Sequence, residues 1–323
     1  MNTFETKKWL GFFVGLAVML CFLLSSPIMA KELHFAVCLP TIDQPHFICQ
    51  RYGFEDEARK LGVKVTVYNA GGYAYLQKQI QHVEDAIARK VDVIIVNAIE
   101  AKGTVPVVEE AVRAGIPVVN VNCMTDSPKV IARVRSSDEE IGRLWAEALA
   151  KQLNYKGNIV LLPGGPGVPV TMARANAGKE TLKKYPGITI LAELYAEEVP
   201  VKGMNLMEDL LQTYGEKLNG SYSAGHGMGT GSVMTLQAAK RPDVVVVSVD
   251  FSQEMEQLIR DGSLYGTVIQ QTTLMGRMGI RVAKAVAEGK KFEADTYTPV
   301  KLITRENLDT IDRSGFECPA ISK

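Results

Sequence analysis

The sequence predicts an α/β protein made of two doubly wound parallel-sheet lobes joined by a hinge. Three observations carry that prediction. From Leu33 onward, apolar strand-like runs alternate with amphipathic helical segments with little interruption. Runs such as Val91–Asn97 (VDVIIVN) and Val244–Val249 are apolar almost throughout, as strands covered on both faces must be. The alternation makes two consecutive rounds, the second beginning near Ser136, with no long charged or Pro/Ser-rich linker between them. A chain of 323 residues accommodates two domains of common size, and 46% apolar with 22% charged residues is enough to bury a sizeable core.

The first 30 residues stand apart. Lys7 and Lys8 precede an uncharged run from Trp9 to Leu24, and Ser25-Ser26-Pro27 leads to Ile28-Met29-Ala30. This is the layout of a secretory signal peptide cleaved after Ala30, its run being short for a membrane span of about 20 residues. Removal takes Lys7, Lys8 and Glu5 from totals of 36 basic and 36 acidic residues, leaving a net charge of −1. That balance offers no attraction to nucleic acid or an anionic membrane. Cys38, Cys49, Cys123 and Cys318 remain. Export permits disulfides, and four cysteines allow three full pairings among which the sequence does not choose. No CxxC or Cys/His cluster has metal-site spacing, so no metal is expected.

In the first round, strand 33–38 runs into Leu39–Gly62, where Pro40, Asp43 and Pro45 interrupt the chain before a helix. Phe47, Ile48, Tyr52, Phe54, Ala58 and Leu61 share one face of that helix and Gly62 is its C-cap. Strand Val63–Tyr68 ends in the turn Asn69-Ala70-Gly71-Gly72, and a helix follows over Tyr73–Lys90. Strand Val91–Asn97, a helix from Thr104 to Ala114, strand Ile116–Val121 ending at Asn122-Cys123, and a short strand Lys129–Val134 complete the round. The second round reads as helix Asp138–Leu153, strand Asn158–Leu162, loop Pro163–Gly167, helix Thr171–Lys184, strand Thr189–Tyr195 and helix Lys202–Tyr214. The loop is glycine-rich but lacks both the P-loop ending and GxGxxG spacing, which argues against phosphate. Residues 220–226 then lead through a glycine-rich segment to helix Gly229–Ala239, strand Val244–Val249 ending in Asp250, helix Gln253–Arg260, strand Leu264–Ile269 and helix Thr273–Glu288. A polar strand and tail close the chain. The expected lobes are residues 31–136 plus 270–298, and residues 137–269 plus 299–323.

Ligands of open α/β sheets bind at the carboxyl ends of strands. The polar residues there are Gln44, Asn97, Asn122, His226, Asp250 and Gln270. Their amides and carboxylate suit a polyhydroxylated or otherwise neutral polar ligand, and Asp250 can also pair with a cation. His46, Phe47 and Tyr73 can stack on an apolar ligand face or meet a cation with their rings. Two facing lobes make a cleft, and hinge closure around a ligand is its natural use. Catalysis would require Cys123 and His226 to meet as nucleophile and base. There is no GxSxG elbow or HExxH motif, and no enzymatic activity is expected.

The export signal, the two-lobed pattern and the strand-end polar set together resemble type I periplasmic binding proteins over nearly all of the mature chain. Asp43-Gln44-Pro45-His46-Phe47 resembles the Asn-Asn-Pro-Phe-Phe loop of the ribose-binding group, and Lys202–Met207 resembles its Lys-Gly-Leu-Asn-Val-Met. Asp250 and Gln270 occupy the places of that group's ligand-binding Asp and Gln, Asn97 matches its Asn, and Arg174 stands for its second-lobe Arg. His226 falls where that group has Asn, and Asn122-Cys123 replaces its Asp-Arg pair. The TorT-like group, periplasmic partners of sensor histidine kinases, is closer in look through Tyr52-Gly53, Glu57-Ala58-Arg59, Gly62-Val63, Ala70-Gly71-Gly72-Tyr73, Leu162-Pro163-Gly164 and Gly315-Phe316. Asp138 and Asp250 depart from it, standing where it places aromatic residues.

The resemblance implies a periplasmic protein that closes around a polar ligand and signals to a membrane sensor kinase, without a cofactor. The alternative it implies is the substrate-binding subunit of an ABC importer for a sugar-like solute, whose partner is an ABC permease. The implied ligand-binding set is Gln44, His46, Phe47, Tyr73, Asn97, Asn122, Asp138, Arg174, His226, Asp250 and Gln270. A LacI-type repressor shares the core fold, but the signal peptide and the lack of a helix-turn-helix module before Leu33 oppose it.

Overall fold

In strand β1 (His34–Leu39), Phe35, Val37 and Leu39 enter one core and Ala36 and Cys38 enter another on the opposite face, so one strand feeds two cores. The computed structural model describes residues 32–166 and 168–319; the expected signal peptide lies outside them. Strand β1 lies inside a parallel sheet with β2 (Lys64–Asn69), β3 (Val93–Val96), β4 (Val118–Val121), β5 (Ala132–Ser136) and β11 (Asp295–Thr298), in the order β11-β5-β4-β3-β1-β2. The second sheet holds β6 (Lys156–Leu162), β7 (Gly187–Glu193), β8 (Gly220–Ser223), β9 (Val245–Val249), β10 (Gly266–Gln270) and β12 (Val300–Thr304). Its order, β12-β10-β9-β8-β6-β7, repeats the first, with only β12 antiparallel. Strand β6 splits as β1 does, with Ile159 and Leu161 in one core and Val160 and Leu162 in the other.

The helices are α1 (Pro45–Leu61), α2 (Leu76–Ala88), α3 (Val105–Arg113), α4 (Asp138–Gln152), α5 (Pro169–Leu182), α6 (Pro200–Tyr214), α7 (Gly225–Ala238), α8 (Gln253–Asp261) and α9 (Thr272–Ala287). The chain crosses between the sheets three times: between Ser136 and Asp138, between Gln270 and Thr272, and between Thr298 and Val300. At the first two crossings the lobes exchange helices. Helix α9 leaves the second sheet yet packs on α1, and α4 leaves the first yet packs on α5. Only glycine permits the α1–α9 approach: a Cβ on Gly53 would stand 2.1 Å from the Thr273 carbonyl oxygen, and one on Gly276 2.3 Å from that of Gln50. Ion pairs Arg277–Asp56 (3.0 Å) and Arg281–Glu57 (2.7 Å) flank the crossing.

Several elements depart from the sequence expectation. Helix α2 begins at Leu76 rather than Tyr73, because Gly71 and Gly72 take positive φ and the chain turns before it can coil. Strand β5 lies two to three residues later than expected and leaves Ile131 exposed. Residues 220–226 are a fully buried four-residue strand followed directly by α7, so His226 sits in a helical first turn rather than at a strand end. The closing polar strand is two strands, one in each sheet, with Pro299 between them.

The four cysteines among the described residues form one disulfide, Cys49–Cys318, with Cα atoms 5.2 Å apart, and two buried thiols, Cys38 and Cys123. The tail that carries Cys318 touches both lobes. Phe316 meets the Phe251 ring edge-on and Arg313 pairs with Glu256 of α8, whereas Cys318 is bonded to α1.

Candidate functional site

Loops at the carboxyl ends of the strands carry the polar groups that converge. Asn122 follows β4 and Asp250 follows β9, its equivalent in the second sheet. Both take left-handed backbone, φ 65° and 73°, a conformation that Asn and Asp accept more readily than other side-chain-bearing residues. Their amides donate to the next strand, to the Val134 oxygen at 2.9 Å and the Val268 oxygen at 3.0 Å. The side chains then differ. Among the described residues Asn122 Nδ2 reaches only Cys123 Sγ, at 3.7 Å. Asp250 stands in a network that joins the lobes.

His46 Nδ1, in the first turn of α1, lies 3.2 Å from Asp250 Oδ1. Gln270 Nε2 donates to the same oxygen at 2.9 Å. Arg174 of α5 donates from Nη2 to Gln270 Oε1 at 3.1 Å and from Nε to Asp138 Oδ1 at 2.8 Å. Asp138 opens α4 at the hinge, and the Trp145 indole holds the Arg174 carbonyl at 3.3 Å. Burial alone would raise the Asp250 carboxyl, but the His46 charge and hydrogen bond, Arg174 and Gln270 outweigh it and hold the group at about 2. Burial likewise disfavours the Arg174 charge, and the carboxylates of Asp138 and Asp250 more than offset it.

Above this network, His46 and Phe47 rings meet edge-on at 4.9 Å, and Phe47 and Tyr73 at 6.3 Å. The Tyr73 hydroxyl lies 3.7 Å from Cys123 Sγ. Burial pushes the Cys123 thiol up to about 11, so it is protonated at neutral pH. The nucleophile–base pair that catalysis would require is not formed: Cys123 contacts Tyr73 and Asn122, while His226 Nε2 pairs with Glu254 at 3.1 Å.

Other sequence candidates have different employment. Asn97 is fully buried; its amide donates to Gln50 Oε1 at 3.0 Å and its oxygen accepts the Cys123 amide at 3.3 Å, so both ends are used inside the first lobe. Gln44 is exposed at the N-cap of α1 and makes no side-chain cap bond.

Two residues in the cleft escaped sequence reasoning. Tyr222, in β8, is fully buried and stacks on Trp145 at 4.2 Å. Its hydroxyl, which feels the charges of Arg174, Glu198, Asp250 and Asp138, has no hydrogen-bond partner among the described residues. His46 Nε2 and Thr171 Oγ1 are buried without partners too. Glu198 lies in the loop between β7 and α6. A Cβ on Gly164 would stand 2.2 Å from its Oε1 and one on Gly225 2.3 Å from its Oε2, so both glycines make room for the carboxylate. Gly164 of the glycine-rich loop thus faces an acid, the wrong partner for phosphate. A strand-end survey extended to 194–199 would have found Glu198; Tyr222 was hidden because its short Gly/Ser strand was not assigned.

A narrow crevice of about 10 Å³, room for about one water, runs beside the network, lined by Pro45, His46, Asp250, Phe251, Gln270, Thr272 and Phe316. A larger, open depression lined by Asn154, Lys156, Asn158, Asn219 and Asp243 lies at the amino ends of the second sheet's strands, the end that carries none of the loops described above.

Residues 35–291 match the family model described as the periplasmic binding protein domain. The chain belongs to that family. The ribose import binding protein of Bacillus subtilis is 27% identical over 276 residues, covering 85% of this chain and 88% of its own length. The D-allose-binding periplasmic protein of Escherichia coli is 27% identical over 307 residues, covering 92% and 97%. Among solved structures, a carbohydrate transporter solute binding protein from Agrobacterium radiobacter, in complex with D-arabinose, has a TM-score of 0.82 at 25% identity and covers 87% of this chain and 97% of that one. The two α/β lobes are therefore those of a periplasmic binding protein of the ribose-binding-like kind. The closer likeness to TorT-like proteins that short motifs suggested finds no support in these whole-chain relatives.

Proposed function

We propose that this periplasmic binding protein is the solute-binding subunit of an ABC importer, closing on a sugar-like, polyhydroxylated ligand and delivering it to a membrane permease. The observation that carries this reading is the network His46–Asp250–Gln270–Arg174–Asp138, with unpartnered His46 Nε2 and Tyr222 hydroxyl beside it. Sugar hydroxyls both donate and accept, which suits a set holding a carboxylate acceptor, a guanidinium donor and an amide. Hydrogen bonds to such charged groups contribute about 1.5–3 kcal/mol each. Phe47 and Tyr73 offer aromatic surface for the apolar face of a sugar ring.

A ligand that touches His46 on one lobe and Asp250 and Arg174 on the other favours the closed form by its differential affinity. The ribose, allose and arabinose named for the relatives support a sugar-like solute. Signalling to a sensor kinase, the reading that short motifs favoured, has no such support. In this reading Asp250, Arg174, Gln270, Asp138, His46, Phe47 and Tyr73 contact the ligand, Asn122 lines the first-lobe side, and Asn97 shapes that side from within.

A thermal-shift screen of the mature protein tests the proposal, using pentoses, hexoses, cyclitols and their amino derivatives against trimethylamine N-oxide and betaine. A ligand at a hundred times its Kd adds about 2.7 kcal/mol, enough to raise the melting temperature by several degrees. Stabilisation by a member of the sugar group is expected; stabilisation by an amine oxide alone would contradict the reading.

A further inference from the structure

We infer that Glu198 selects a ligand carrying a protonated amine, so that the preferred solute is an amino sugar or amino-polyol rather than its neutral counterpart. This deepens the proposed function and rests on it. The cleft brings three carboxylates, Asp138, Glu198 and Asp250, together with one guanidinium, Arg174, and the imidazole of His46. Arg174 is bound to Asp138 and His46 to Asp250, whereas Glu198 has no ion-pair or hydrogen-bond partner among the described residues. Glu198 is half-buried, so its unpaired carboxylate is open to a ligand in the cleft.

Glu198 is also held in place. Its carboxylate oxygens lie against Gly164 and Gly225, and its main-chain oxygen would stand 2.5 Å from a Cβ on Gly227, so the start of α7 packs on its backbone. Beside it is a second, independent sign of a missing partner: the fully buried Tyr222 hydroxyl, unbonded. Asp250 Oδ1 takes both His46 and Gln270, and no donor among the described residues reaches its Oδ2.

An alkylammonium carries three N–H donors and no acceptor, which matches this group of acceptors: the Glu198 carboxylate, the Tyr222 oxygen and Asp250 Oδ2. A hydroxyl in the same place donates once. The rings of Phe47 and Tyr73 favour a cation as well. The groups that face Glu198 are Asp250, Arg174, Tyr73, Cys123 and Tyr222. Burial, then the Asp250 charge, raise its carboxyl to about 7 against the pull of Arg174. With a neutral ligand it can remain protonated; an ammonium favours its ionised form, so the preference for an amine strengthens as pH rises towards neutrality.

Isothermal titration with matched pairs tests this: D-glucosamine against D-glucose, D-galactosamine against D-galactose, and 1-amino-1-deoxy-D-sorbitol against D-sorbitol. At pH 7.5 the amino member of at least one pair is expected to bind tenfold or more tighter. The ratio is expected to shrink at pH 5.5 and to fall to near one in Glu198→Gln, a nearly isosteric change whose folding a melting curve checks. A preference retained in that variant, or neutral members that bind as tightly as amino members to the wild type, would overturn the inference while leaving the sugar-binding function intact. Failure of every pair to bind while a neutral sugar of the wider thermal screen binds would likewise overturn the inference alone; failure of the whole sugar screen would overturn both.

Discussion

Asp250 combines a backbone conformation that few residues accept with a carboxylate that receives His46 from one lobe and Gln270 at the crossing between them. Its carboxyl is held at about 2, below the ordinary 3.8. The sign follows from linkage: a depressed carboxyl stabilises the folded state above the ordinary value and loses that contribution as pH falls through the folded one. The window is therefore pH 4 down to 2, and the effect is on the order of 2 kcal/mol. Glu198 runs the other way, since its raised carboxyl costs the unliganded fold stability as pH rises from 4.5 to about 7. Thermal melts at pH 5, 3 and 2 are expected to show a steeper acid loss in the wild type than in Asp250→Asn; parallel curves would contradict the assignment. Asp250 was legible in the sequence because a strong apolar strand ends at it. Glu198 was missed because it lies five residues beyond the end of its strand, and Tyr222 because nothing local marks a tyrosine in a Gly/Ser strand as facing a cleft.

Among elements, α1 bears the greatest demand. It carries His46 and Phe47 at its start, Cys49 in the disulfide, and Gly53 at its crossing with α9. Its extent was readable from Pro45 to Gly62, since a proline start, a helical apolar face and a left-handed glycine cap are local signals. Its partner was not readable, because helix exchange between lobes is a tertiary fact. The glycine at the crossing makes the dependence measurable. Gly276→Val forces α9 away from Gln50 and Phe54. Overpacking of this kind costs about 1–3 kcal/mol, and the displacement of α1 moves His46. A melting temperature lower by several degrees together with weakened ligand binding is expected. Full retention of both would show that the crossing does not position the site.

At the scale of the molecule, two sheets of the same strand order are linked by three crossings. The alternation of strand and helix announced this architecture, because strands covered on both faces must be apolar throughout. The tail was beyond reach of pattern. Its bond from Cys318 to Cys49 spans 269 residues, and no spacing rule selects it from the other pairings. Tail and crossings together keep the two lobes in register, so that a residue from each, His46 and Asp250, meets across the cleft. The central claim is that a sugar-like solute, neutral or amino-substituted, is held at that meeting point. It is tested most directly by titrating the mature protein calorimetrically with the best ligand of the thermal screen, in the wild type and in Asp250→Ala. The account predicts saturable one-to-one binding in the wild type and at least a hundredfold loss in a variant that still melts cooperatively. Equal affinity in the two proteins would contradict it.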